Sequence, residues 1–182
     1  MRFERLMDNG RLWAVMYDED SMNIFEKVFM QWNDYQWLRE FFVIHSEDLA
    51  SYFHITDINR AVFDTVDDAC NLECLIMDFD PNANLDELFR PLENNRASEV
   101  ILGREKAKGK SRNHSSWLRL YAIRLESGRY IITGGAIKLT ATMEEREHTF
   151  AELVRLNKVR DYLISLGIYD YNGFEDYNNE ND

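Results

Sequence analysis

The residues best suited to chemistry lie between Arg104 and Arg124. Seven of them are basic (Arg104, Lys106, Lys108, Lys110, Arg112, Arg119 and Arg124) and one, Glu105, is acidic. The segment therefore carries +6, so in a chain of net charge −12 the remaining residues sum to −18. Cations gathered against such a background can hold phosphates through charge-assisted hydrogen bonds. A simpler reading stays open beside this one: basic residues on exposed strands also balance surface acids, for instance Glu144, Glu145 and Glu147. Other chemistries are excluded by spacing. His45, His54 and His148 show no metal-ligand pattern, and Glu145-Arg146-Glu147-His148 is not H-E-x-x-H. No phosphate-cradling glycine loop and no G-x-S-x-G occurs. Asp78, Asp80, Asn82, Asn84 and Asp86 imitate the start of a calcium loop. The position that needs Gly is Ala83, however, and the one that needs a bidentate Glu is Phe89, so the stretch reads as a turn and helix cap.

Bulk properties bound the partners. A pI near 4.8 argues against a protein that coats nucleic acid non-specifically, because its net field repels phosphate. A local basic strip still acts within a Debye length of about 8 Å. Cys70 and Cys74, four apart on one face of an expected helix, read as reduced core thiols. No apolar run approaches the roughly 20 residues of a membrane span. The start MRFERLMDNG has no signal-peptide core, so a cytoplasmic protein without a membrane partner is expected.

These residues need a scaffold to hold them. Phe3–Met7 and Leu12–Tyr17 read as a hairpin around Asn9-Gly10. Ser21 is expected to cap a helix bearing Ile24, Phe25, Val28, Phe29 and Trp32; a second helix follows over about 34–44, and Ser46 caps a short third. A longer helix runs from Thr56 to the Asp80-Pro81 break, and Asn84 opens a short one through Leu92. From Val100 the period falls towards two. Strands are expected at 100–108, 117–125 and 130–138, with Trp117, Arg119, Tyr121 and Ile123 sharing one face. Gly134-Gly135 implies a bulge or a close approach of backbone. Thr142-Met143-Glu144-Glu145 is a capping box that begins a last helix with Phe150, Leu153, Val154 and Leu156, stopped at Gly167. The acidic residues 169–182 are expected to fray, and to fold back over the basic strip as a shield. The sequence divides into a hairpin and aromatic-rich helical extension (1–55), an α+β domain (56–168) and the tail (169–182), or forms one compact domain.

Residues 85–166 resemble the RelE/ParE-type toxin superfamily, most of all its HigB-like branch. Members carry a "lyelR" phrase, a hairpin, and an "ivlLhgFvKKT" phrase before a C-terminal helix. The matching residues are Leu118-Arg119-Leu120-Tyr121-Ala122-Ile123-Arg124 and Tyr130-Ile131-Ile132-Thr133-Gly134-Gly135-Ala136-Ile137-Lys138-Leu139-Thr140, with Leu139 standing where the second Lys would be. The resemblance implies an α+β fold with a curled antiparallel sheet. It also implies a cofactor-free, metal-independent endoribonuclease acting on messenger RNA, free or on the ribosome, and neutralised by a small helix-turn-helix antitoxin. By position, Arg119 or Arg124 would stabilise the transition state and Lys138 would sit where the family keeps a basic residue. His114 and Tyr121 would transfer protons, and Arg104, Lys106, Lys108, Lys110 and Arg112 would hold the RNA. His114 reads equally as a surface histidine and Tyr121 as packing. Two other functions fit the same scaffold: a non-catalytic protein-interaction module and a ParE-like topoisomerase inhibitor.

Overall fold

The computed structural model describes residues 1–80, 84–92 and 101–181; Asn82 and Ala83 of the calcium-like stretch and Val100 of the expected strand lie outside them. Six strands form one sheet: β1 (Arg2–Arg5), β2 (Leu12–Met16), β3 (Phe89–Pro91), β4 (Gly103–Lys108), β5 (Leu118–Glu126) and β6 (Arg129–Ile137). Their spatial order is β1-β2-β6-β5-β4-β3. Helices α1 (Ile24–Trp32), α2 (Tyr35–Ile44), α3 (Ser46–Phe53) and α4 (Ile58–Met77) precede β3, and α5 (Glu147–Ser165) and α6 (Tyr171–Asn181) follow β6. The protein is α+β, but the sheet is mixed rather than antiparallel, because β2 runs parallel to β6 with Leu12 opposite Tyr130. A parallel pair needs a long crossover. Here four helices and three strands intervene, and no local pattern announces such a return.

The glycine pair explains how both faces are covered. Successive strand residues point to opposite faces. A Cβ on Gly134 would lie 1.8 Å from Oε2 of Glu152 on α5, whereas one on Gly135 would meet Val28 at 2.8 Å and Trp32 at 3.1 Å on α1. The sheet is therefore sandwiched, with α5 and α1 pressed onto β6 where only glycine fits. The expected irregularity is also present, as a register shift between Tyr121 and Ala122 in the β5–β6 pairing.

Several expectations change in detail. Asn23, not Ser21, caps α1, its side chain accepting from the Glu26 N–H at 3.0 Å. Leu85–Glu87 forms only a 3-10 turn, and Phe89–Pro91 continues as an edge strand, where the missing proline N–H costs no ladder bond. The Glu145 carboxylate does accept from the Thr142 N–H, yet α5 begins at Glu147. Its buried stripe is Thr149, Glu152, Leu156, Val159 and Leu163, which leaves Phe150 and Val154 half-exposed. Cys70 and Cys74 are exposed rather than in the core: the buried stripe of α4 passes through Ala69, Leu72 and Ile76 instead.

The tail differs most. Residues Tyr171–Asn181 are helical, and Phe174 is fully buried against Phe3 (5.0 Å between ring centroids) and Trp13 (5.1 Å). Arg129 stacks on Tyr171 at 3.7 Å. Burial of aromatic area outweighs the poor helix propensity of this acidic segment. Phe174 packs on β1 and β2, and the other contacts of α6 reach Arg129 at the start of β6 and Tyr162 of α5, all away from β4, so α6 does not shield the basic strip.

Asp86 pins the 3-10 turn to the β5–β6 hairpin. Its carboxylate accepts from the Ser127 hydroxyl (2.6 Å), the Gly128 N–H (2.9 Å) and the Tyr130 hydroxyl, and Arg124 stands 3.5 Å away. Burial alone would raise its pKa, but these donors outweigh it and hold the group at about 2. A carboxyl depressed below its unfolded value of 3.8 contributes stability that is present above that value and lost as pH falls towards about 2. Asp86→Ala is accordingly expected to cost about 1.5–3 kcal/mol at neutral pH. Acid unfolding curves of the two proteins should converge below the Asp86 pKa; parallel curves would show that the carboxylate is not the hub. Among the described residues no helix is long and apolar enough to cross a membrane.

Candidate functional site

β4 and β5 pair with Lys108 opposite Arg119 and Lys106 opposite Tyr121, which places all four side chains on one face. That is the α5 face, since Tyr121 is paired with Gly134, the residue against which Glu152 rests. Lys138 follows the last residue of β6, its N–H bonded to the Trp117 carbonyl at 2.8 Å, and this brings it beside Arg119. Four cations thus meet where the two neighbouring strands flank β5.

They meet without a salt bridge. Among the described residues, no carboxylate lies within salt-bridge distance of Lys106, Lys108, Arg119 or Lys138. Carbonyls hold three of them instead. Arg119 Nη1 donates to Ser116 O and Leu118 O, both at 2.8 Å. Lys106 Nζ donates to Leu92 O at 3.0 Å, and Lys138 Nζ to Thr140 O at 2.6 Å and Ala141 O at 2.5 Å. The electrostatics follow. Burial, then repulsion by Arg119, lowers the pKa of Lys106, of Lys108 and of Lys138, with Lys106 adding to the effect on the other two; Glu105 at Lys106, and Glu144 and Glu145 at Lys138, pull the other way but are outweighed. Burial also lowers that of Arg119. Such a cluster gains most from an anion that enters it.

The structure brings together only part of the expected set. Tyr121 stands beside Arg119 but is fully buried; its hydroxyl has no hydrogen-bond partner among the described residues, and burial raises its pKa far out of the neutral range. It forms the wall of the site. Trp117, expected on the Arg119 face, instead packs against Phe42 (5.5 Å) and Phe53 (5.2 Å) and donates to Thr65 at 2.9 Å. It precedes β5, where strand alternation does not yet govern direction. His114 follows it, its ring stacked on Trp117 at 3.9 Å and 3.3 Å from an Asp64 oxygen, away from the α5 face. Arg124 lies near the other end of β5, roughly 17 Å along the strand from Arg119 at about 3.4 Å per residue, and is paired with Asp86. Arg104 lies on the site's face but donates to Asn157 at 3.0 Å, and Lys110 and Arg112 project from the β4–β5 loop.

One residue of the site escaped the sequence reading. Glu152 sits on the buried stripe of α5, where burial pushes its pKa up to about 7, against the opposing pull of Arg155 and the Gly135 N–H. Its Oε2 has no hydrogen-bond partner among the described residues. An acid falling in step with Leu156, Val159 and Leu163 was the available signal. Comparison with known proteins adds nothing to this picture: no family model matches the chain, and neither a curated protein nor a solved structure matches it.

Proposed function

We propose that this protein is a toxin-like endoribonuclease of the RelE/ParE type that cuts messenger RNA without a metal ion at the Lys106–Lys108–Arg119–Lys138 cluster. One observation supports the reading above all: four half-buried or exposed cations converge and repel one another, and no described carboxylate, though Glu105, Glu144 and Glu145 attract Lys106 or Lys138 from farther off, supplies a contact charge. An RNA phosphodiester supplies that charge and carries its own nucleophile. Lys138, inclined towards its neutral form by burial and by Arg119, takes the proton of the 2′-hydroxyl. The 2′-oxygen then attacks phosphorus, and Arg119 stabilises the charge that develops. The bond to the 5′-oxygen breaks, the electron pair leaves with that oxygen, and the Lys106 ammonium protonates it. The products are a 2′,3′-cyclic phosphate and a 5′-hydroxyl. Lys108 holds a flanking phosphate. The same reading gives the protein a cytoplasmic site of action and a small helix-turn-helix antitoxin as partner.

The test is end-labelled RNA incubated with purified protein and excess chelator. Fragments ending in cyclic phosphate are expected, undiminished by the chelator, with Lys138→Gln cutting about 10²-fold more slowly. RNA that is retained but stays intact would replace the nuclease with a binding module. Intact RNA together with blocked DNA supercoiling would favour the topoisomerase inhibitor.

A further inference from the structure

A second cluster of titratable groups lies where α2 and α3 meet the start of α5. The rings of His45 and His148 are 4.8 Å apart between centroids, and Phe41 flanks both, at 4.4 Å and 5.1 Å. His148 Nε2 lies 2.9 Å from the carbonyl of Ile137. A carbonyl only accepts, so Nε2 carries the hydrogen and ties α5 to the residue just before Lys138. On the other side, Asp48 is gripped by Arg146 through Nε (2.7 Å) and Nη2 (2.5 Å), while His45 Nδ1 stands 3.7 Å from its Oδ2.

We propose that the His45–His148 pair is a proton-operated latch that fastens the 138–146 segment, and with it Lys138, to the α2–α3 corner. With His45 neutral, its ring and that of His148 pack against Phe41 and the seam is closed. Charging His45 places an imidazolium against the His148 ring and next to the Arg146 guanidinium. The groups facing the pair cannot absorb this. From α3 comes Asp48, already committed to Arg146; at the rim, Glu145 is bound to the Thr142 N–H and the Tyr52 hydroxyl; Glu144 and Glu147 are exposed. Burial and the nearby His148 both lower the His45 pKa, which outweighs the opposing pull of Asp48. Acid therefore opens the seam rather than strengthening it, and the segment bearing Lys138 comes loose. The effect on catalysis rests on the proposed ribonuclease function; the latch itself does not.

The experiment is imidazole proton NMR combined with amide hydrogen exchange on the full chain, without RNA. In His148→Gln, which keeps an N–H for Ile137, the His45 midpoint should rise towards 6.5. In the wild type, protection of amides between 138 and 149, corrected for intrinsic exchange, should fall about tenfold from about pH 7.5 to about pH 5.5. That fall should be smaller in His148→Gln, where burial and Arg146 still disfavour a charged His45 but the second ring no longer does. An unchanged His45 midpoint, or acid-independent protection in the wild type, would overturn the latch. Should the variant fold poorly, wild-type exchange alone decides. Absence of RNA cleavage would count against the cation cluster and leave this result standing.

Discussion

Arg119→Ala is expected to slow RNA cleavage about 10²–10³-fold while leaving a folded protein, as loss of a transition-state donor does elsewhere. The guanidinium is the one member of the cluster that stays charged at any working pH. Its Nη1 is fixed by two carbonyls of its own chain turn, so the fork arrives already oriented. Arg119 also depresses Lys106, Lys108 and Lys138, so its removal should do more than delete one contact. Without its repulsion Lys138 becomes harder to deprotonate, and the rising limb of the pH–rate profile should move to higher pH. Arg119→Lys, which keeps the charge but not the fork, should restore the limb and only part of the rate. Thermal unfolding of each variant separates a lost donor from a lost fold. A folded Arg119→Ala protein that cleaves at the wild-type rate would remove the cluster as the site.

Glu152→Gln is expected to stabilise the protein by about 3 kcal/mol at pH 7 and above, the largest stability change foreseen. The sign follows from the direction of the shift. Between 4.5 and about 7 the unfolded chain has released this proton while the folded chain keeps it. Stability from this group therefore falls as pH rises through that window, and stays low above it. Glutamine has the same shape, cannot ionise, and can still meet the Gly135 N–H. The gain should be absent at about pH 4 and appear by pH 7, as a rise in melting temperature of roughly 6–12 °C for a chain of this size. A melting temperature equal to that of the wild type at both pH values would mean that the buried carboxyl costs nothing. A protein that keeps an expensive ionisable group under its proposed active surface gives a reason to measure cleavage in this variant too.

The chain carries much of its architecture in local pattern. Alternation across Leu118–Leu125 and the three-and-four spacing of Ile24, Val28 and Trp32 are consequences of strand and helix geometry, and they fixed element types wherever one face is buried. The excess of cations between 104 and 124 pointed to three members of the cation cluster, because charge concentrated in an acidic chain is visible without any fold. The glycine pair at 134–135 foretold a close approach, though not of what.

Tertiary structure decided the rest, through pairings between distant residues. That Lys106, Lys108 and Lys138 join Arg119, while Arg124 turns to Asp86 and His114 to Trp117 and Asp64, depends on strand register and loop direction. Composition cannot encode either. Glu152 acquires its chemistry only because α5 lays it on Gly134, and the acidic tail becomes a helix only because Phe3 and Trp13 offer Phe174 a surface to cover. The parallel pairing of β2 with β6 belongs to the same category. Periodicity reports which face of an element is buried. Only the packed chain determines what that face is buried against, and the pKa of a side chain is set by that neighbour.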